Sequence, residues 1–505
     1  MSAVPPRDVP SSAAFAVDPD APIPGVLIDG VWSLGEGARL PVHDPVSRAR
    51  IAWLAEASAV QIDAAVQAAA RAGAHWRATS AAERGQALAR IAEAVAAAQP
   101  MLVALQQRNN GKPRHEAEAD VADTIATFRY YAGLCASGQG LAEQMVALPE
   151  AGVDARLARV PLGVAALIVP WNFPLVTTAW KLAPALAAGC TVVLKPSELT
   201  PLAECALQRL IADSGLPPGV VNLVCGGAAT GRALVAHRGV AKVSFTGSNA
   251  VGQQVLAACG PRMTRVSLEL GGKSSLIVLD DADLDRAVEL AIGGAFWNAG
   301  QMCSATARIC VARPLVARFT EAFVAAARAL RRGPADDVAT TLGPLISARQ
   351  HAAVRARIAA GRAAGARLLC GVVPAVGEGA AGVGSDTGWA LPATVFTDAR
   401  AVPALWDEEI FGPVACLQSF DRDDEAAALA NDSDHGLVAT VVGGDATRAR
   451  RLADTLQVGT VWINTPQLIF PQTGWGGFKH SGLGRELGPW GLQAYQELRH
   501  VIAPG

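Results

Sequence analysis

The sequence predicts an α/β protein of two units, a doubly wound parallel sheet followed by a second α/β unit. Three observations carry that expectation. From Val164 onward short apolar strands alternate with helix patterns, the rhythm of a parallel sheet with crossover helices. A second alternating series begins at Ser274. The 505 residues, 51% hydrophobic and 17% charged, exceed what one hydrophobic core serves and suit a large packed interior.

Residues 1–24 are rich in Pro, Ala and Ser and read as a loose leader, without the basic start and apolar segment of a signal peptide. Residues 26–32 read as a short strand with an Asp-Gly turn. Ala-rich helix patterns follow over 58–76 and 81–107, with Ser80 a plausible N-cap. Asn110-Gly111-Lys112-Pro113 ends that run, and a further helix spans about 116–134.

Residues 142–160 break the alternation as two strand-like pieces around Pro149-Glu150-Ala151-Gly152, a hairpin that is marginal in water and has to dock elsewhere. The first βα series then places strands at 164–169, 191–194, 220–224 and 243–245, with helices at 177–188, 203–214 and 231–237. The second places strands at 274–279, 308–311, 368–370, 393–396, 414–420, 439–442 and 460–464. The boundary is expected at Gly271-Gly272. Ligands of such sheets bind at strand C-terminal ends.

A formal charge of −2 and a pI near 6.5 leave no electrostatic footprint for nucleic acid, and no basic run suggests a membrane surface. No apolar run approaches the roughly 18 residues of a membrane span. Nine cysteines, an odd number without CxxC spacing, read as reduced thiols and a cytoplasmic protein. The C-terminal Ile-Ala-Pro-Gly is not a peroxisomal address.

Chemistry is expected at Cys303, inside the glycine-broken, partly polar loop 296–308 between a helix pattern and an apolar strand. A free cysteine alone more often packs as a small hydrophobe. Its company changes that: Pro170-Trp171-Asn172-Phe173-Pro174, Lys195-Pro196-Ser197-Glu198, Phe245-Thr246-Gly247-Ser248, Leu268-Glu269-Leu270-Gly271-Gly272-Lys273 and Glu408-Glu409-Ile410-Phe411-Gly412-Pro413 accompany it in one chain. Together, in order and spacing, these stretches resemble the signatures of the NAD(P)-dependent aldehyde dehydrogenase superfamily, from about Ile28 to the C-terminus. The resemblance is greatest to its betaine-aldehyde and aminoaldehyde branch.

The resemblance implies a Rossmann-type cofactor domain over 25–141 and 161–270, a catalytic domain over 271–470, and an oligomerisation ribbon and tail over 142–160 and 487–505. It implies a homodimer or homotetramer acting on a small-molecule aldehyde. Cys303 is then the nucleophile, a thiolate whose pKa its surroundings lower, and Asn172 with the Cys303 N–H stabilises the oxyanion. Glu269 is the general base that hydrolyses the thioester, and Lys181 and Glu486 relay its proton. Taken singly, Asn172 is equally a turn residue, Glu269 a surface acid, and Lys181 with Glu486 a structural ion pair.

The resemblance also implies NAD as cofactor, with NADP the alternative. Pro170, Trp171, Lys195, Ser197, Glu198, Gly247, Ser248, Gly252, Leu270, Gly271, Glu409 and Phe411 are the matching positions. No GxGxxG follows the first strand; Gly247 to Gly252 instead opens a helix, whose N-terminus can hold a pyrophosphate. Glu198 is placed to bind ribose hydroxyls and repel a 2′-phosphate, which favours NAD.

Phe173, Trp180, Trp297 and Trp475 fall where the branch carries tunnel aromatics, and a cation over such faces gains about 0.5–2 kcal/mol per contact. Glu116, Asp120 and Asp123, at i, i+4 and i+7, share one helix face and match carboxylates at the branch's tunnel mouth. Core packing and a solvated acidic face are the plainer readings. Thr460 stands where the branch varies with substrate, Phe173 replaces the branch's usual tyrosine, and Asn109 stands where many members have an aspartate near a monovalent-cation site, which leaves that site open; no metal-ligand residues are expected.

Overall fold

The computed structural model describes residues 20–150, 152–371 and 388–504. Most of the leader, Ala151 of the hairpin turn, and Gly505 lie outside the described residues.

An eight-stranded sheet organises the first unit. Its parallel centre runs in the order Arg265–Glu269, Lys242–Thr246, Val164–Ile168, Thr191–Lys195, Val221–Val224. Antiparallel strands close both edges: Gly482–Leu483 on one side, and the hairpin Val26–Ile28 with Val31–Ser33 on the other. That hairpin turns through Asp29 and Gly30, both at positive φ (52° and 82°), as a two-residue turn of right-twisted strands requires. The central strands are buried along their length, which explains their mostly apolar sequences; the buried Asn222 within Val221–Val224 spends its amide on Val192 O and Gly219 O.

The second sheet has seven strands, with Ser274–Val278 between Thr306–Ala312 and Val438–Val442, and all pairings parallel except Arg367–Cys370 with Thr394–Thr397. The chain leaves the first sheet at Glu269 and enters the second at Ser274.

Several elements differ from expectation. The helix pattern of 81–107 is two helices, Ala81–Ala97 and Gln99–Asn110, bent 68° apart where Pro100 starts the second. Pro22–Ile23, inside the expected leader, pairs with Arg50–Ala55, which also pairs with Arg39–His43 in a small sheet that the weak alternation there hid. The strand Arg265–Glu269 was likewise unforeseen, its apolar residues being broken by the exposed Arg265 and by Ser267. The hairpin finds its dock in the C-terminal strand: Gln144–Val146, Val153–Pro161 and Gln496–Pro504 form one antiparallel sheet. No single helix among the described residues is long and apolar enough to cross a membrane.

Candidate active site

A cavity of about 840 Å³ opens between the two sheets. The first unit contributes Trp171, Asn172, Thr246, Gly247, Leu270 and Gly271 to its wall; the second contributes Cys303, Glu409 and Phe411.

Cys303 follows the helix Leu284–Phe296 through a short turn in which Asn298 and Ala299 both take left-handed conformations (φ 50° and 53°). Two such residues in succession are strained and need to be held. The Asn298 N–H donates to Glu116 Oε1 at 3.0 Å, and its side-chain amide donates to Asn172 O at 3.1 Å and Gln301 O at 3.2 Å. Gln301 in turn donates to Pro344 O and accepts from the Ile346 N–H. Gly272 packs on the other side, where a Cβ would collide with the Cys303 carbonyl. Asn172 Nδ2 donates to Gln301 O at 2.9 Å. An amide nitrogen has two hydrogens, so one remains for the cavity.

All nine cysteines lie among the described residues; eight are buried and Cys303 is partly exposed. Its thiol is not activated as expected. Burial, then the charges of Glu269 and Glu409, push it up to about 12, against the N–H groups of Ser304 and Cys303. The sequence placed carboxylates, not cations, around the sulfur.

Glu269 ends the strand Arg265–Glu269, buried, with neither carboxyl oxygen hydrogen-bonded and neither lining the cavity. It lies against Gly476, with Oε1 2.8 Å from where a Cβ there would sit. Burial, then the charge of Glu486, holds it well above the usual carboxylate range, opposed by Lys181 and Arg485. The carboxyl therefore sits behind the cavity wall in this arrangement, still near enough for its charge to act on the thiol. Lys181 and Glu486 form a buried ion pair, and Ser244 Oγ donates to Glu486 Oε1 at 3.1 Å. Glu486 is tied to the cavity by backbone pairing with Trp475.

A dinucleotide fits the wall. Thr246 Oγ1 is buried there without a hydrogen-bond partner, and Ser248 starts the helix Asn249–Cys259 without a side-chain cap bond, so that helix presents its N-terminus to the cavity. Gly271 has no Cβ because Glu409 occupies the space. Glu409 accepts from the Gly272 N–H at 3.1 Å, and burial raises its carboxyl to about 7. Phe411, at φ 56°, stacks edge-on against Trp171 and is held by Gln350, which donates to its carbonyl at 2.8 Å.

Other expected cofactor residues sit apart. Gly252 does not line the cavity; its missing Cβ makes room for Leu270. Lys195 ends the strand Thr191–Lys195 and Ser197 and Glu198 follow it, all three outside this cavity's lining. Lys195 Nζ donates to Pro196 O and Gly226 O, and Ser197 Oγ accepts from the Leu199 N–H. Glu56, not anticipated, joins them by accepting from the Gly227 N–H at 2.7 Å.

The four expected aromatics share the cavity with Cys303. Trp180 and Trp475 lie 5.5 Å apart between ring centroids, and Trp297 meets His115 edge-on. The acidic face does not act as one surface. The helix Arg114–Ser137 buries Glu116 in its first turn against Asn298, away from any mouth. Asp120 is buried in an ion pair with Lys112, so of these three acids only the exposed Asp123 brings an unpaired charge to the cavity. Thr460 lies outside the lining, whereas Ile469 and Gln467 are in it. Thr246 stood inside a motif already singled out; Ile469 and Gln467 carried no signal. Asn109 spends its amide on His43 O, Leu199 O and the Leu202 N–H.

Residues 32–501 match the model of the aldehyde dehydrogenase family. The chain is 40% identical over 486 residues to betaine aldehyde dehydrogenase 1 of Oryza sativa subsp. japonica, covering 94% of each. It is 39% identical over 485 residues to aminoaldehyde dehydrogenase 2 of Zea mays, again covering 94% of each. Its structure superposes on betaine aldehyde dehydrogenase from Staphylococcus aureus in complex with NAD+ with a TM-score of 0.90, at 34% identity and 95% coverage of both chains. A cysteine and an amide lining one cavity, with a buried carboxyl behind its wall, on this fold and with these relatives, place the chain in the aldehyde dehydrogenase family.

Proposed function

We propose that the chain oxidises a cationic aldehyde, betaine aldehyde or an ω-aminoaldehyde, to its acid with NAD, through a covalent intermediate on Cys303. The observation that carries this is the single cavity joining Cys303, Asn172, four aromatic rings and the Glu409–Phe411 wall. The named relatives act on such aldehydes, and the named structure holds NAD+.

The sulfur of Cys303 adds to the carbonyl carbon as its proton passes to solvent through the open cavity. The free hydrogen of Asn172 Nδ2 and the Cys303 N–H meet the oxygen; one such donor is worth roughly 2.7–4 kcal/mol of barrier. When bound, NAD supplies the acceptor for the two electrons and hydrogen that leave the substrate carbon. Thr246, Ser248, Gly271, Glu409 and Phe411 would hold its nicotinamide and pyrophosphate side, and Lys195, Ser197, Glu198 and Glu56 its adenosine ribose. A thioester on Cys303 remains. Glu269, turned from Gly476 toward the sulfur, takes a proton from the attacking water, and the acid leaves.

We assign the two sheets as cofactor-binding and catalytic domains and the three-stranded ribbon as a subunit contact. Its exposed Met145, Leu498 and Ile502 support a homodimer or homotetramer. Nine unpaired thiols support a cytoplasmic location.

One observation favours a second reading, a semialdehyde dehydrogenase with an anionic substrate: Arg349 lines the cavity. Its neighbour Gln350 bonds Phe411, which puts Arg349 on the dinucleotide side rather than among the tryptophans. Following NADH formation with betaine aldehyde, 4-aminobutyraldehyde, propanal and succinic semialdehyde decides between them. The two cations are expected to lead in kcat/KM; parity with propanal, or a lead for the semialdehyde, overturns the proposal.

A further inference from the structure

The crossover between the two sheets, residues 270–273, packs against both halves of the site. The Gly271 N–H donates to Asn249 Oδ1 at 2.9 Å, at the start of the helix that follows Ser248. A Cβ on Gly271 would meet Glu409 Oε2, and one on Gly272 would meet the Cys303 carbonyl, so the Glu409 carboxylate and the nucleophile's loop pack on one turn. No step at the sulfur uses Lys273, the next residue. Its side chain is buried, and Nζ donates to Glu408 O at 2.7 Å. Its own carbonyl accepts from buried Arg308 Nε at 3.0 Å, which fixes the root of the side chain.

Stability does not account for Lys273. Among the described residues it has no carboxylate within ion-pair distance, and its hydrogen-bond partner is a backbone carbonyl. A buried ammonium with so little compensation is costly, and burial, foremost, pulls Lys273 down to about 8. Its charge acts instead on Glu409, whose carboxyl burial raises and whose ionised form the Gly272 N–H and Lys273 support. Glu408 is gripped from two sides, its side chain by an ion pair with Arg357 and its carbonyl by Lys273. The next residue is thereby set with its carboxylate on the Gly271-Gly272 turn.

We propose that Lys273 is a positioning residue for hydride transfer: through the Glu408 carbonyl and its own positive charge it holds Glu409 ready to accept the nicotinamide-ribose hydroxyls beside Cys303. This rests on Glu409 being the ribose acceptor. Lys273 does not line the cavity and acts through Glu409 alone. The ribose hydroxyls donate, the carboxylate accepts, and no proton changes hands. A misplacement of about 1 Å that starts away from the reacting atoms can cost about 10²-fold in rate.

The test compares full-length K273M, E409Q and K273M/E409Q with the wild type, using whichever of the four aldehydes the wild type turns over best. The readouts are NAD dissociation constants from fluorescence quenching, the single-turnover rate of NADH formation, and nitrophenolate release as p-nitrophenyl acetate acylates Cys303 without NAD. K273M exchanges a buried charge for an apolar chain of similar length, which a fold tolerates. K273Q, which keeps a donor and loses the charge, takes its place if K273M folds poorly. In K273M, NADH formation should slow by roughly 10- to 10²-fold and the NAD dissociation constant should rise by roughly tenfold. KM for the aldehyde and nitrophenolate release should stay near wild type. E409Q should move the same two quantities, and K273M/E409Q should match E409Q, because residues that act through one another are not additive. Losses that multiply in the double variant, a wild-type NADH rate in K273M, or lost nitrophenolate release there overturns the proposal. E409Q separates the two claims: wild-type binding and rate in E409Q sink the ribose assignment, whereas a weak E409Q beside a wild-type K273M sinks the positioning role alone.

Discussion

The Lys112 ammonium lies 3.8 Å from the centroid of the Phe173 ring while paired with Asp120, so a cation of the protein's own already occupies that aromatic face. A substrate ammonium is left with Trp180, Trp297 and Trp475, and with Asp123 as the uncompensated charge. D123N should raise KM for 4-aminobutyraldehyde by roughly two- to fivefold at low salt, as an exposed charge warrants, and leave propanal unchanged. Although the residue reaches solvent, desolvation of its carboxyl where it lines the cavity, then the Asp120 charge, raise it to about 7, against Lys112. It is charged above that value, so KM for the cation should fall between pH 6 and 8 in the wild type and stay flat in D123N. Equal effects on both substrates would remove Asp123 from recognition.

Asp120 should matter for stability instead. D120N leaves Lys112 buried without its counter-charge, and breaking a buried pair from one side costs about 3–5 kcal/mol. Urea unfolding at neutral pH measures it; a loss below 1 kcal/mol means that Lys112 finds water or another partner.

The thiol near 12 sets a labelling prediction. Iodoacetamide attacks the thiolate, so alkylation of Cys303 in the cofactor-free protein should rise tenfold per pH unit to at least pH 10 without a plateau. Peptide mapping should find Cys303 modified and the eight buried thiols intact. A plateau near pH 8.5 would mean that the surroundings leave the sulfur unperturbed.

These residues show where sequence reading succeeds and where it stops. Strand alternation and the position of Cys303 were legible because buried parallel strands and a glycine-broken loop mark the local sequence. The ionisation of that thiol was not, since it depends on Glu269 and Glu409, which lie 34 residues before it and 106 after it in the chain. Glu116 kept helical spacing with Asp120 and Asp123, yet spacing cannot reveal that a left-handed Asn298 presents its N–H there. Lys112 read as a helix end; its place over Phe173 is a contact made only when the helices pack.

Glu269 predicts both a rate and a stability effect. E269Q should keep the NADH burst and slow deacylation by about 10²–10⁴-fold. In the folded protein Glu269 binds its proton more tightly than in the unfolded chain, so its contribution to stability falls as pH rises above about 4.5 toward the folded value. E269Q removes that titration, and its Tm relative to wild type should climb between pH 5 and 8. A pH-independent difference would show the carboxyl ionising freely in the fold.

We propose that Glu198 governs the choice of dinucleotide, with Glu56 as its helper. Its Oε2 is 4.0 Å from Lys195 Nζ, beyond hydrogen-bond distance, and two of that ammonium's three hydrogens go to Pro196 O and Gly226 O, so the carboxylate is only loosely neutralised. Glu56 reaches the same place through the Gly227 N–H, and the missing side chain of Gly227 keeps both acids close. A 2′-phosphate would therefore meet two carboxylates. E198Q should raise kcat/KM with NADP relative to NAD by roughly tenfold, equivalent to 1.4 kcal/mol, and E56Q/E198Q by more. Because the partly exposed charges are screened, the preference of the wild type should narrow in high salt and that of the double variant should not. Dissociation constants for both dinucleotides, read by fluorescence quenching across a salt series, check this apart from turnover; an unchanged ratio in the double variant would place the discrimination in the shape of the pocket rather than in its charge.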